Sequence, residues 1–320
     1  MKIALDLMGG DFAPAEAIAG VLQYFEAHGD GAAHLLLIGE AEACSPLLEG
    51  LSAYAGQYTF VPSGATIGMH EHPTKALKEK PDSSISTGFG ALLRGKADAF
   101  IGAGNTGAMM VGALYSVKAI EGIQRPTIAS PLPRNDGKFN LLLDVGINAD
   151  CKPENLVQFA EMGSLYAQRV SGIENPRVGL LNIGEEEGKG NILAQAAYPL
   201  LKENSAINFI GNVEGRDLFL DKADVIVCEG FVGNVVLKMA ESINHIFRQQ
   251  RGVQDEFLDN FNYEIYGGTP ILGINGAVII GHGISSALAF RNMIEVAAKI
   301  VSSRLIEAFK AHFIKPESVQ

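Results

Sequence analysis

Tryptophan is absent from this chain of 320 residues, and aromatic residues make up only 8% of it. A surface of stacked rings for sugars or nucleobases is therefore not expected. Cysteine is scarce: Cys44, Cys151 and Cys228 stand far apart with no C-x-x-C pair, which excludes a disulfide framework and the usual zinc spacings. No basic n-region leads into an apolar h-region at the amino end, so the reducing cytoplasm is the expected compartment. Positive charge is in deficit, with 25 Lys and Arg against 36 Asp and Glu and a net charge of -11; nonspecific nucleic-acid binding, which needs a phosphate-neutralising surface, is excluded on that ground. Uninterrupted membrane-length runs are lacking too. Residues 99–117 and 267–290 are uncharged, but the second contains Pro270, Asn275 and His282 among its glycines, and both read as buried strand, loop and helix units rather than spans.

What the chain has is apolar residues, 47% of the total, and 37 glycines, a composition of well-packed elements joined by tight turns. The length suits about two domains or one large α/β unit. MKIALDLMGG reads as a strand broken at Gly9-Gly10, and Pro14 opens a helix over AEAIAGVLQYFEAH. HLLLIG, a helix around Glu42 to Tyr54, TFVPSG, DAFIGAGNTG, TIASPLP, NLLLDVG, RVGLLNIG, INFIGNV and DVIVCEG continue the alternation. Short apolar runs ending in glycine are the pattern of parallel strands buried on both faces. The expected fold is a three-layer α/β/α structure with a mostly parallel sheet, continuous over residues 1–320, with a helical excursion at 239–262. In such sheets ligands bind beyond the carboxyl ends of the strands, so function is sought in the loops that follow them.

Charge is distributed unevenly. Residues 1–74 hold one base and nine acids, whereas residues 75–138 hold nine bases and five acids. The basic segment either attracts an anionic partner or forms solvated helix faces. Its centre is HEHPTKALKEKPDSS, with Lys75, Lys78 and Lys80 just before Ser83 and Ser84. His70 and His72 form an H-x-H pair with no third ligand in reach, so no metal site is assigned.

Gly102-Ala-Gly104-Asn-Thr-Gly107 matches a dinucleotide fingerprint, but the acid expected about 20 positions on is missing, which argues against a nicotinamide cofactor. The plainer reading of its glycines is tight turning alone. Two units share one layout, Asp98-AFIGAG-Asn105 and Asp224-VIVCEGFVG-Asn234, and each places an asparagine at an expected helix start. There it serves either as a cap or as a ligand for an anion. Asn148, Asn182 and Asn212 also follow buried strands. In LNIGEEEGKGN the spacing departs from a P-loop, and Gly190 stands where Ser or Thr would hold magnesium, so an NTPase is excluded. Lys189, flanked by Gly188 and Gly190, is still well placed to reach an anion, and the three adjacent glutamates are expected to orient it. No G-x-S-x-G elbow is present and Cys228 lies in an apolar strand, which leaves no covalent nucleophile.

The ordered segments ALDLMGGDFAP, HPTKALKEKPDSSI, GAGNTGA, LLDVGINAD, GLLNIGEEEGKGN, FIGNVEGRD, DVIVCEGFVGNVVLK and YGGTPILGINGAVIIGHG resemble the PlsX-type phosphate acyltransferases, from residue 1 to about 308. The resemblance implies the fold of isocitrate/isopropylmalate dehydrogenases and phosphotransacetylases, a homodimer, and no cofactor or metal. The implied reaction is attack of inorganic phosphate on the thioester of a long-chain acyl-acyl carrier protein, giving acyl phosphate for phospholipid synthesis. A membrane glycerol-3-phosphate acyltransferase is the implied recipient, and the implied location is cytoplasmic with weak peripheral contact at the inner face of the membrane. Residue by residue, the resemblance assigns Lys189, Asn234, Asn212 and His282 to catalysis. To phosphate and substrate binding it assigns Asp6, Gly9, Gly10 and Asp11; Lys75, Lys78, Lys80, Ser83 and Ser84; Gly104, Asn105 and Thr106; and Asn148, Asn182, Gly188 and Gly233.

The chemistry agrees with the residues, because phosphate is already a nucleophile and needs only positioning and stabilisation of the developing oxyanion. An acidic carrier protein also accounts for the basic segment, with Lys75, Lys78, Lys80 and Arg94 as docking candidates. Lys78, Thr269 and Ser286 stand where the family more often has Arg, Ala and Asn. The segment between Lys238 and Tyr263 is shorter than the family's helical hairpin, which favours a dimer interface there over a membrane anchor. The alternatives are a short-chain phosphate acetyl- or butyryltransferase using coenzyme A, and an NAD-dependent dehydrogenase of the same fold.

Overall fold

A computed structural model describes residues 1–314. It contains eleven strands among these residues: β1 (Lys2–Asp6), β2 (His34–Gly39), β3 (Tyr58–Pro62), β4 (Ala99–Gly102), β5 (Thr127–Pro133), β6 (Phe139–Leu143), β7 (Arg177–Asn182), β8 (Asn208–Glu214), β9 (Val225–Val227), β10 (Thr269–Leu272) and β11 (Ala277–Ile280). The chain divides into two compact units, Met1–Lys118 with Glu264–Ser302, and Ala119–Tyr263 with the residues from Ser303 on.

In the first unit the strands are ordered β3-β2-β1-β4-β11-β10. All neighbours run parallel except β10 and β11, and Ile3 aligns with Leu35 on one side and Ala99 on the other. Successive side chains point to opposite faces of a sheet, yet Ile3, Ala4, Leu5 and Asp6 are all buried. Both faces are therefore covered by helices, as the continuous apolar runs predicted. Phe100 of β4 lies edge-on to Phe89 of helix Ser84–Leu93, ring centroids 4.9 Å apart. Truncating such a buried ring costs about 3–5 kcal/mol.

In the second unit the order is β5-β6-β9-β7-β8, with only β5 and β6 antiparallel. Helix Pro153–Arg169 lies on this sheet through Gly163, where a β-carbon would stand 2.6 Å from side-chain atoms of both Leu143 and Val225. The expected mostly parallel α/β architecture is thus observed. The aspartates that open the two similar units serve structure: Asp98 accepts the Lys2 N–H at 2.7 Å and Asp224 accepts the Arg177 N–H at 2.8 Å.

The helix expected around Glu42 to Tyr54 runs as Ala41–Leu48 and tightens into a 3₁₀ segment, Glu49–Tyr54. Around the expected excursion, helix Gly230–Asn244 passes into a π-helical turn, His245–Gln250, followed by the short helix Glu256–Asp259. Phe257 and Phe261 form an edge-to-face cluster with Phe219 of the same unit, whereas Ile246, Phe247 and Val253 are exposed. Arg248 pairs with Asp259 and donates to the Val253 carbonyl at 2.8 Å. No helix among the described residues is long and apolar enough to cross a membrane.

Candidate functional site

In the first unit the chain leaves β1 at Asp6, whose Oδ1 accepts the Met8 N–H at 2.9 Å while Oδ2 is buried without a hydrogen-bond partner. Burial pushes this carboxyl up to about 6. The Ser84 hydroxyl lies close enough to hold the rise back somewhat, but without the geometry of a hydrogen bond, and Ser84 Oγ is likewise buried and unpartnered. A β-carbon on Gly9 would stand 2.5 Å from the Gly104 nitrogen, so the loops after β1 and β4 meet backbone to backbone, which only glycine permits. Gly10 has φ +103°, a left-handed conformation natural to glycine, and it leads Asp11, whose N–H donates to the Gly283 carbonyl at 2.6 Å. The loop after β11 thereby joins the other two. Half-buried His282 sits there, its carbonyl accepting from the Ser285 N–H and hydroxyl.

Asn105 caps helix Thr106–Gly112 by accepting the Ala108 N–H at 2.9 Å, and its amide donates to the carbonyls of Gly68, Met69 and Glu71. Both ends of its amide are engaged in fastening the 68–71 loop. Thr106, next along, is exposed. Ser83 caps the helix that Ser84 begins, accepting the Ser86 N–H. The three lysines differ. Lys80 is tied to the Thr66 carbonyl (2.8 Å) and to Glu71 (2.6 Å), and that contact is the main reason the Glu71 carboxyl is held below its usual range. Lys75 is within 3.9 Å of Glu79, while exposed Lys78 makes no ion pair among the described residues.

In the second unit the residues around Lys189 form a pinned loop. Asn182 donates to the Lys189 carbonyl at 3.1 Å and accepts the Ile183 N–H at 2.8 Å; Asn212 donates to the Glu186 carbonyl at 2.8 Å. Gln195 donates to the carbonyls of Gly188 and Gly190, each at 3.0 Å. Gly190 adopts φ +97°, and a β-carbon there would reach 2.3 Å from Asn182 Oδ1. Asn212 Oδ1 is buried and unpartnered. The three glutamates do not orient Lys189 by pairing, as had been expected. Glu185 pairs with Lys222 and Glu187 with Lys202, so these longer-range cations take the carboxylates, and the exposed Lys189 makes no ion pair among the described residues.

Asn234 also differs from expectation. The N-cap of helix Gly230–Asn244 is Glu229, which accepts the N–H groups of Phe231 and Val232 at 2.6 and 3.0 Å. Asn234 therefore lies a turn further in, exposed, against the backbone of Gly146, whose φ is +140°. Asn148 is buried and engaged: its amide donates to Pro126 O (2.8 Å) and to Asp144 Oδ2 (2.9 Å). Residues 149–151, 191–193, Glu229 and Phe231 line one opening of about 580 Å³, which brings the start of helix Ile192–Glu203 beside that of helix Gly230–Asn244.

Two residues that organise these loops carry little signal in the sequence. Asp144 collects the N–H groups of Ile128, Gly146, Ile147 and Asn148 on one carboxylate, and its signal was an acid closing the buried run LLLD just before a glycine. Glu229 is hidden in the sequence because the spacing of Asn234 matches that of Asn105. Of metal-type clusters among the described residues, Glu185, Glu214 and Asp217 form the one group of three, and each of the three carboxylates is already paired with Lys222 or Arg216. Burial disfavours the thiolates, pushing Cys44 and Cys151 up to about 11 and Cys228 well above its ordinary value.

Residues 1–308 match a family model described as "Fatty acid synthesis protein". The chain is 44% identical over 337 residues to the phosphate acyltransferase of Desulforamulus reducens, covering 100% of this chain and 99% of that one, and 45% identical to that of Heliobacterium modesticaldum, covering 98% and 97%. Among solved structures, EutD phosphotransacetylase from Staphylococcus aureus shares the fold with a TM-score of 0.64 at 16% identity, covering 94% of each chain. A branched-chain phosphotransacylase from Enterococcus faecalis gives a TM-score of 0.61 at 15% identity, covering 94% of this chain and 99% of that one. With a family model spanning nearly its whole length and relatives of this identity, the chain belongs to the phosphate acyltransferase family of fatty acid synthesis proteins.

Proposed function

We propose that this chain transfers an acyl group to inorganic phosphate, with a long-chain acyl-acyl carrier protein as donor and an acyl phosphate for phospholipid synthesis as product. The observation that carries the reading, beside family membership, is the Lys189 loop: an ammonium without an ion pair among the described residues, on a backbone pinned by Asn182, Asn212 and Gln195. A backbone held in this way fixes where the Lys189 side chain starts, and its ammonium then supplies positive charge to an oxyanion as it develops.

In the proposed reaction a phosphate oxygen attacks the thioester carbon, the carbonyl oxygen becomes an oxyanion, and collapse breaks the carbon–sulfur bond. The proton of hydrogen phosphate goes to the departing sulfur, so acyl phosphate and carrier thiol leave with charge and atoms balanced. Lys189 and Asn234 serve the oxyanion and phosphate, while Asn182 and Asn212 act as positioning residues. The protonated thiols and the absence of a serine elbow fit direct attack rather than an acyl-enzyme.

The finer parts of the reading are that the basic segment docks the acidic carrier protein, that the protein works as a homodimer in the cytoplasm with weak contact at the membrane face, and that its product passes to a membrane glycerol-3-phosphate acyltransferase. The test is mass-spectrometric detection of acyl phosphate from palmitoyl carrier protein and phosphate. No product with pure, folded protein overturns the reading. The fold shared with phosphotransacylases favours coenzyme A thioesters as the second donor class, and turnover with acetyl- or butyryl-coenzyme A alone would select it.

A further inference from the structure

Asp144, fully buried just after β6, gathers five N–H groups on one carboxylate. Oδ1 accepts from the backbone of Ile128, Gly146 and Ile147 at 3.2, 3.3 and 3.4 Å, and Oδ2 from the backbone and the side-chain amide of Asn148 at 2.6 and 2.9 Å. Successive backbone N–H groups that converge in a turn form an anion-binding concavity. Here the chain fills that concavity with its own carboxylate. A phosphate entering it would have to displace a tethered, fully hydrogen-bonded group and would meet that group's negative charge at close range.

Resemblance to the family assigns Asn148 to phosphate binding, but its donors are spent inside the protein. Its amide reaches the Pro126 carbonyl at 2.8 Å as well as Asp144, and its own carbonyl accepts the Gly230 N–H at 2.7 Å. That last bond ties the turn to helix Gly230–Asn244, which carries Asn234. The fit there is close, because a β-carbon on Gly230 would stand 2.9 Å from Asp144 Oδ2 and from the Asn148 backbone. Strand β9 is fixed to the same point, the Asp144 N–H donating to the Cys228 carbonyl at 2.9 Å. Gly146, whose N–H Asp144 holds, faces Asn234: a β-carbon on it would lie 3.6 Å from Asn234 Oδ1. Asp144 thus holds both the helix on which Asn234 stands and the turn that Asn234 faces.

We infer that Asp144, clamped by Asn148, is a positioning residue for the transfer step: it sets the place of Asn234, and the 146–148 turn is closed to phosphate. The inference rests on the proposed role of Asn234. Its test is a set of double-mutant cycles on acyl phosphate formation, with kcat and the KM for phosphate measured on variants whose Tm and far-UV spectra show them folded. Asn234→Ala should cost about a hundredfold in the parent, as for a lost oxyanion donor. Asn148→Ala and Asp144→Asn should each cost about tenfold or more, since moving a group by about 1 Å is enough for such losses. Added to Asn234→Ala, each should cost less than about threefold, because the group they position is gone. Lys189→Ala should keep its full loss when combined with Asn148→Ala, since Asn182, Asn212 and Gln195 hold its loop. If buried Asp144→Asn does not fold, the Asn148→Ala cycle decides alone.

Losses that multiply with that of Asn234→Ala overturn the inference. So does a KM for phosphate that Asn148→Ala raises equally with and without Asn234, which would make Asn148 a phosphate ligand. A Lys189→Ala loss that shrinks as well would reduce Asp144 to a general support of the fold and overturns it too. Failure of the underlying reading looks different: near-normal turnover of Asn234→Ala alone removes Asn234 from the chemistry, a parent without acyl phosphate removes acyl transfer, and the inference falls with either.

Discussion

Gly233 lies so close to Asp144 that a β-carbon at 233 would stand 1.8 Å from the Asp144 carbonyl oxygen. That contact seats helix Gly230–Asn244 on the end of β6, and the same Asp144 gathers the 146–148 turn through its carboxylate. Asn234, one residue on, takes its place against Gly146 from this docking. Gly233→Ala must push the helix off a backbone atom that cannot yield, and overpacking of this kind costs about 1–3 kcal/mol. The expected result is a Tm lower by about 3–10 °C, with turnover falling further than stability accounts for. An unchanged Tm and turnover would show that the contact relaxes freely.

Lys189 presents the opposite case. It is exposed and without an ion pair among the described residues, and its loop is held by backbone contacts that do not involve the ammonium. Lys189→Ala should therefore leave Tm nearly unchanged while lowering turnover by about a hundredfold or more, the size of effect seen when a donor to an oxyanion is removed. Asn182→Ala, which frees the loop, should lower both. Near-normal turnover in folded Lys189→Ala removes this residue from the chemistry.

Asp6 ties stability to pH. Its carboxyl is raised from the ordinary 3.8 to about 6 because burial disfavours the charged form. The folded protein therefore holds this proton more tightly than the unfolded chain, and stability falls as pH rises from about 4 to about 6, then levels off. A rise of about two pH units corresponds to up to about 3 kcal/mol. Asp6→Asn has no proton to lose. The difference in urea-unfolding free energy between variant and parent should grow in the variant's favour across that window, and a flat difference would show that Asp6 does not titrate there.

The sheet was legible in the sequence because a parallel strand buried on both faces leaves a short apolar run closed by glycine, as in HLLLIG and AFIG. The loops were legible as places and less so as contacts. Lys189 was visible from its glycines, but the partners of its neighbouring glutamates, Lys202 and Lys222, come from elsewhere in the chain, and no local pattern announces them. Asn105 and Asn234 looked alike by spacing. Only the fold shows that one caps its helix while the other yields that role to Glu229. Asp144 was hidden for a related reason, since an aspartate after a strand looks the same whether it gathers four backbone N–H groups or none.

The proposed carrier docking rests on charge, and the structure sorts the candidate residues. Lys80 is held by Glu71 and the Thr66 carbonyl, so reversing it should disturb the 66–71 loop and lower stability as well as binding. Lys75, Lys78 and Arg94 are exposed. Charge reversal at these three should weaken binding of acyl carrier protein without lowering Tm, and the affinity of the parent should fall as salt is raised, because exposed charges are screened beyond about 8 Å at physiological ionic strength. Fluorescence anisotropy with labelled carrier protein reads both effects. Binding that ignores salt and these reversals would move docking off this segment.

The proposed self-association is assigned to the turn after helix Gly230–Asn244. Phe257 and Phe261 are occupied with Phe219, so Phe257→Asp would test the fold of the unit rather than an interface. Ile246, Phe247 and Val253 remain 41%, 45% and 40% exposed. Arg248 is paired with Asp259, and exposed Arg251 is followed by exposed Asp255 and Glu256, so the segment around this apolar patch carries no net positive charge. Such a patch suits another protein surface better than a membrane, where interfacial segments need cations on the polar side. Phe247→Asp should therefore convert a dimer to monomer in sedimentation velocity while keeping the far-UV spectrum, with little change in liposome co-sedimentation. A variant that stays dimeric but loses lipid binding shown by the parent would assign the patch to the membrane instead.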